Sequence, residues 1–565
     1  MQLHIGGNFM VKKAPLALTL LFTFGCGGGG GSTGQITVSG TFSASYVKGV
    51  KVCIEGTGPC TTTDNSGRFS LESPTQRPLL SFWLPGVKLG DYQLQNSGET
   101  VTPFKIMGNA TLGLTLAEII HGAAGDINGT ESRLDFENVT VSANVTSLQE
   151  ALRSKEPFTL SVKNPQGEFT LNVDPSNATV EACTNGTCRQ VSYRKWLVLI
   201  YMDGDNSLSS YAREDLKELQ AVTYNPQIKV VALTDYAGST PTQIAVSNEI
   251  TGKLDITNST YEPDMGDPQT LESFVKEFTG RFPAPNVALI LWNHGDGWRS
   301  SKIAAEDATS RDYLFMFELV NALKELRSEG ITVNLVGFDE CLMGMEEVAY
   351  DLKDLTDVTV ASEALEPGNG WDYTRVAGWI SSNPAATPWE FAKAIVDAYY
   401  QTYKDSPADW PLTLTAVSSQ QAQQIADNLD TLYGLLSNQT VEQFAAARSN
   451  ATEVYDSGSY LYHVDLKSFA QALKLTGSDQ IKTAAEELLG TLNGTYTAVI
   501  PAIDGTTYGG LSVYFPPTLA SDEENLYCYF METPGDCYGQ TDYYNPFAQT
   551  LWDNFLQTYY QLEGE

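Results

Sequence analysis

From Trp196 onward, uninterrupted apolar runs alternate with amphipathic stretches, and this alternation leaves few folds open. "WLVLIYM" at 196–202, "IKVVALTD" at 228–235, "NVALILW" at 286–292 and "LVGF" at 335–338 carry hardly any polar residue, so each reads as a strand buried on both faces. Between them "SLSSYAREDLKELQAV", "LESFVKEFTGRF" and "FMFELVNALKELRSEG" repeat apolar residues at helical spacing, which gives each one buried face. Strands that bury both faces need helices on both sides, so residues 195–565 are expected to form an α/β domain with a helix-covered sheet. Ligand sites in such sheets gather beyond the carboxyl ends of strands.

Two strand ends carry chemistry. "LILWNHGDGW" at 289–298 runs from an apolar strand into His294, and "LVGFDECLMG" at 335–344 runs from the next into Asp339, Glu340 and Cys341. A thiol is a strong nucleophile as a thiolate, and an imidazole within reach provides or stabilises that form. Placed at neighbouring strand ends, His294 and Cys341 can converge. Gly295 would leave its backbone N–H open to a reacting carbonyl, and the Cys341 N–H could join it in an oxyanion hole. The other three of the four histidines fit no such pattern: His4 precedes Met10, the better start, His121 lies in a helix-like segment outside this domain, and His463 in "YLYHVDLKSF" reads as structural. No zinc signature or phosphate-cradling Gly-Lys-Ser loop is present in the sequence.

The formal charge of -34 is spread along the chain, which argues against nucleic-acid binding and suits a cationic substrate or a divalent cation. At the N-terminus, Lys12 and Lys13 precede "APLALTLLFTF", then Gly25, Cys26 and "GGGGGS". The apolar run is shorter than the about 20 residues a membrane span needs, and it fits an export signal. It resembles bacterial lipoprotein signals, in which a small residue precedes the cysteine that becomes the lipidated first residue; Thr23 and Phe24 depart from the usual spacing. This implies a signal over 1–25, lipid on Cys26, a Gly-rich linker over 26–34, and a bacterial cell-envelope location on the outer membrane or surface. A plain secretory signal, giving a periplasmic or secreted protein, is the alternative.

Eight cysteines include three local pairs, Cys53 with Cys60, Cys183 with Cys188 and Cys528 with Cys537, each closing a short loop. Disulfides in an oxidising compartment are expected, since no pair has Cys-x-x-Cys spacing or a histidine close by. Cys26 and Cys341 remain. Residues 35–105 alternate apolar and polar between turns, which suggests a small β-sandwich. With "TDNSGRF" at 63–69 this segment resembles transthyretin-like or carboxypeptidase-regulatory-like modules, which implies a spacer or binding role. In 106–194, a segment with no assigned fold, "LTLAEIIHGAAG" reads as a helix and "PFTLSVKNPQGEFTLNVD" as a hairpin.

Five motifs in order, "YMDGDNSL" at 201–208, "LILWNHGDGW", "GFDECLMGMEEVAYDL" at 337–352, "ASEALEPGNGWDY" at 361–373 and "GLSVYFP" at 510–516, resemble the clostripain family of cysteine peptidases. The resemblance implies a caspase-like α/β/α sandwich, His294 as base and Cys341 as nucleophile, with Asp339-Glu340-Cys341 where the family commonly has Asp-Ala-Cys. It places Asp339 at the floor of the primary specificity pocket, facing substrate Arg or Lys; a cap on a helix starting near Leu342 is the alternative. Glu363 and Trp371 would line the cleft, or be a solvated acid and a core indole. Calcium is implied as a cofactor without named ligands, and the metal-binding residues stay unknown. The expected protein is an exported, lipid-anchored cysteine endopeptidase cutting proteins or peptides after basic residues. A surface binding or adhesion lipoprotein that keeps the fold without turnover is the rival.

Overall fold

The computed structural model describes residues 35–56, 58–129, 131, 133–298, 306–307, 309–455 and 462–564. The signal and Cys26 lie outside the described residues. The apolar runs form a nine-stranded sheet. In chain order its strands are β1 (Trp196–Gly204), β2 (Ile228–Tyr236), β3 (Gln243–Ser247), β4 (Leu254–Asn258), β5 (Asn286–Trp292), β6 (Leu335–Asp339), β7 (Val358–Ala361), β8 (Leu412–Ser418) and β9 (Tyr496–Ile500). Their spatial order is β4-β3-β2-β1-β5-β6-β7-β8-β9, parallel from β2 to β7 and antiparallel at both margins.

Strand β1 shows why the runs lack polar positions. Leu197, Leu199 and Tyr201 enter the core on one face, and Trp196, Val198, Ile200 and Met202 enter the core on the other. Helices Pro268–Arg281, Met316–Ser328 and Ser419–Tyr433 cover the first face, while Ser209–Ala221, Tyr373–Ser382 and Pro388–Tyr403 cover the second. One pairing positions the site. In the parallel ladder of β5 with β6, Trp292 stands opposite Asp339, so His294 and Cys341 each lie two residues beyond a paired position, at the same sheet edge.

The N-terminal region holds a three-stranded and a four-stranded sheet, then a five-stranded antiparallel sheet that contains the hairpin pairing Phe158 with Val173. At the "TDNSG" turn the Asp64 carboxylate accepts the N–H groups of Ser66 and Arg68 at 2.8 and 2.9 Å. A single cluster of buried side chains runs from Val38 to Val191, across the boundary expected near residue 105. The helix Ala110–Ala124 ties it together, with ten of its residues buried, His121 among them. The His121 ring is held 2.6 Å from the Asp126 carboxylate, so it is part of this core. All three expected disulfides are formed. Among the described residues Cys341 is the cysteine outside a disulfide, and no helix is long and apolar enough to cross a membrane.

Candidate active site

Past β1 the chain turns through "DGDNSL", and this turn builds the seat of His294. The buried Asp203 carboxylate accepts the Asn293 side-chain amide at 2.9 Å, and the Asn293 carbonyl oxygen accepts both the Asn206 amide at 2.8 Å and the His294 N–H at 2.6 Å. Ser207 Oγ then hydrogen-bonds His294 Nε2 at 2.8 Å. The imidazole is thus oriented from the neighbouring strand. Asp203, Asn206, Ser207 and Asn293 have no role assigned by the sequence alone, although all four lie inside the motifs at 201–208 and 289–298.

Gly295 is fixed by crowding. A Cβ there would stand 2.2 Å from the Cys341 carbonyl oxygen, so the two loops can touch only with glycine at this position. After Asp339 the chain does not enter a helix. Leu342 takes a left-handed conformation at φ 66°, its N–H donating to Ala364 O at 3.0 Å, and the next helix spans Glu346–Leu352 with Met345 at its N-cap. Asp339 therefore caps no helix, which removes the structural alternative for that residue.

The Cys341 thiol is enclosed by the turn that follows β7. Glu366 donates its N–H to Sγ at 3.2 Å, and Sγ lies 3.9 Å from the Glu366 carbonyl oxygen. Burial, and after it the charges of Glu366, Glu340 and Asp339, push the thiol up to about 12. At neutral pH the resting sulfur is protonated.

Asp339 is 4% exposed. Its carboxylate accepts the Trp371 N–H at 3.1 Å and the Tyr373 hydroxyl at 2.8 Å, and Gly370 packs so closely that a Cβ would sit 2.5 Å from Oδ1. The Glu366 carboxyl, whose two oxygens are shut off from solvent, lies against it and beside the Trp371 side chain. Burial raises both carboxyls, so the pair retains a shared proton. Beneath them Asp215 accepts the Trp292 indole N–H at 2.8 Å and is pushed up to about 9, by burial first and by the Asp339 charge second. Asp215, Asp339 and Glu366 thus form a buried cluster of acids.

The cleft-lining expectation for Glu363 and Trp371 is corrected. Glu363 is fully buried, and its carboxylate accepts the Gly510 N–H at 2.5 Å, so it braces the turn before the "LSVYF" strand rather than meeting solvent. The Trp371 ring is 1% exposed and packs over Gly337 in the core, while its backbone N–H donates to Asp339.

The model of the clostripain family matches residues 200–560, well over half of the chain and across every element just described. The chain belongs to the clostripain family. Clostripain from Hathewaya histolytica is 28% identical over 222 residues, covering 32% of this chain and 41% of that protein, so the match spans about two fifths of that relative's length. Among solved structures, an inactive zymogen C11 protease from Parabacteroides distasonis aligns with a TM-score of 0.49 at 20% identity, covering 60% of this chain and 96% of that one. A secreted C11 cysteine protease from Bacteroides thetaiotaomicron, in complex with an irreversible peptide inhibitor, aligns at 0.47 and 20%, covering 59% and 96%. Membership of the clostripain family fits the strand-end positions of His294 and Cys341 and the acidic residue two before the cysteine.

Proposed function

We propose that this member of the clostripain family is a cysteine endopeptidase that cuts after Arg or Lys. The observation that supports the reading is the paired register of β5 and β6, which puts the strand ends leading to His294 and Cys341 at one sheet edge, with the buried Asp339 carboxyl two residues before the thiol. Because the resting thiol is neutral, its proton passes to His294 as Sγ attacks the scissile carbonyl carbon. The backbone N–H groups of Gly295 and Cys341 face the developing oxyanion. His294 then protonates the leaving amine, a thioester forms on Cys341, and a water deprotonated by His294 hydrolyses it. A substrate guanidinium or ammonium at Asp339 displaces the shared proton, so the buried acids take up the cation with no change in their net charge.

The test is labelling and a peptide library on the full chain. An arginyl chloromethyl ketone is expected to alkylate Cys341, and cleavage in the library to follow Arg and Lys. A protein that binds peptides without cutting them, and leaves Cys341 unlabelled, is a non-catalytic binder and sinks this reading. The library is run with and without calcium, because the family resemblance implies that ion. Asp205, Asp235 and Glu262 each bring one carboxylate oxygen to within 4.8 Å of the others, an all-oxygen donor set of the kind calcium takes. They adjoin the turn that seats His294, so a bound ion would stiffen that turn. Calcium is expected to raise the thermal midpoint as well as the rate, and no shift in either removes it.

The lipid reading has its own test. Cys26→Ser is expected to release the protein from the membrane fraction, since the described chain offers no spanning helix to hold it there. Retention of the Ser variant in the membrane pellet, with no acyl group on the N-terminal peptide of the wild type, overturns the anchor.

A further inference from the structure

Resting on the peptidase reading, we infer that an aromatic shelf beside Cys341 is the subsite for the residue immediately before the basic one, and that it selects large apolar side chains there. The direction of the substrate comes first. His294 protonates the leaving amine, so the part of the substrate after the cut lies on the β5 side. The part before the cut runs the other way, from Cys341 past the end of β7 toward β8.

That path meets a set of apolar groups. Leu365 follows β7, and its carbonyl oxygen accepts the Trp410 indole N–H at 2.9 Å just before β8 begins. The Trp410 ring stacks on Tyr455, with centroids 5.8 Å apart and planes 16° from parallel. Tyr508 donates the next constraint in reverse, its hydroxyl oxygen accepting the Tyr455 N–H at 2.8 Å. Tyr508, Leu342 and Leu365 form one cluster with Cys341 packed against it, so the shelf is continuous with the nucleophile. Leu365 also immediately precedes Glu366, whose N–H donates to the thiol, so the shelf begins one residue from the thiol's neighbour.

Tyr455 is 48% exposed, and Ile503, whose N–H donates to Ala408 O at the same rim, is 68% exposed. Scattered apolar residues on a surface need no explanation. Here, however, the Trp410 indole and the Tyr455 backbone are each held by a hydrogen bond, on an otherwise strongly acidic protein, near the thiol. An extended peptide sends consecutive side chains to opposite sides at about 3.4 Å per residue. With the basic side chain directed to Asp339, its predecessor leaves on the other side of the extended peptide, toward Leu342 and Tyr508 in the cluster that Cys341 packs against, with Trp410 at the rim where that cluster meets the core holding Trp371 and Tyr373. A rigid aromatic surface takes an aliphatic or aromatic side chain at low entropic cost.

The experiment uses the full chain and fluorogenic dipeptide amides with Arg next to the cut and Gly, Ala, Leu or Phe before it. Leu and Phe are expected to exceed Gly in kcat/KM by about 10-fold or more, the size of burying one such side chain. Tyr455→Ala, at a half-exposed position, and Trp410→Ala are each expected to bring that ratio to within about 3-fold, while iodoacetamide still alkylates Cys341 at the wild-type rate. A flat wild-type series, or variants that keep the wild-type ratio, overturns the subsite while leaving the peptidase reading standing. If no Arg or Lys substrate is cut at all, the peptidase reading fails and the subsite falls with it.

Discussion

Cys341→Ala and His294→Ala are each expected to lower kcat/KM on a basic peptide substrate by at least about 1,000-fold, with little change in thermal midpoint. Both side chains stand at the sheet edge, half-buried, and neither belongs to the two large cores that hold the sheet. Losing the thiol forfeits one hydrogen bond from Glu366, and losing the imidazole forfeits one to Ser207. The chemistry forfeits its nucleophile or its proton carrier. The pH dependence adds a second check. Because burial and three carboxylates hold the thiol near 12, its alkylation by a neutral reagent without substrate should keep rising with pH beyond 9. Hydrolysis of the basic substrate should level off earlier, since His294 takes the thiol proton during attack. Retention of near-wild-type turnover by either variant would rule out the dyad, and an alkylation rate already flat at neutral pH would contradict the neutral resting thiol.

Much of this was legible in the sequence because the sheet buries both faces. A run such as "NVALILW" has no solvent-facing position to break it, so its end is marked sharply by the first polar residues, Asn293 and His294. The turn after β7 was harder to see. Glutamate is rarely buried, so Glu363 reads as solvated or cleft-lining, and only the approach of Gly510 from more than a hundred residues away makes it an interior brace. The same holds for Asp203 with Asn293, whose hydrogen bond joins adjacent strands that are far apart in sequence. The packing across residue 105 has a reason visible in the sequence: "LTLAEIIHGAAG" has almost no polar face, and a helix apolar all round belongs inside a core. Treated as an isolated segment, it hid the fact that its neighbours on both sides had to cover it.

Asp339→Asn is expected to cost about 30-fold to several thousand-fold in kcat/KM on Arg and Lys substrates, the effect of removing one partner from a buried charge pair worth about 2 to 5 kcal/mol. Asparagine is the sharper choice over alanine. It keeps an acceptor for the Trp371 N–H and the Tyr373 hydroxyl, whereas alanine strands two buried donors at about 1 to 3 kcal/mol each and confuses folding with specificity. Two further signs separate a specificity role from a structural one. The charge of Asp339 is among those that raise the thiol, so its removal should speed alkylation of Cys341 by iodoacetamide even as peptide hydrolysis collapses. In the wild type, the raised Asp339–Glu366 pair must give up its proton to receive a cation, so KM for the Arg substrate should fall as pH rises through the titration of the pair. That dependence should flatten in the Asn variant, because no carboxylate remains at position 339 to exchange a proton for the cation. An Arg-to-Ala substrate ratio unchanged from wild type, with hydrolysis intact, would take Asp339 out of the specificity pocket and leave the buried acids as structure alone.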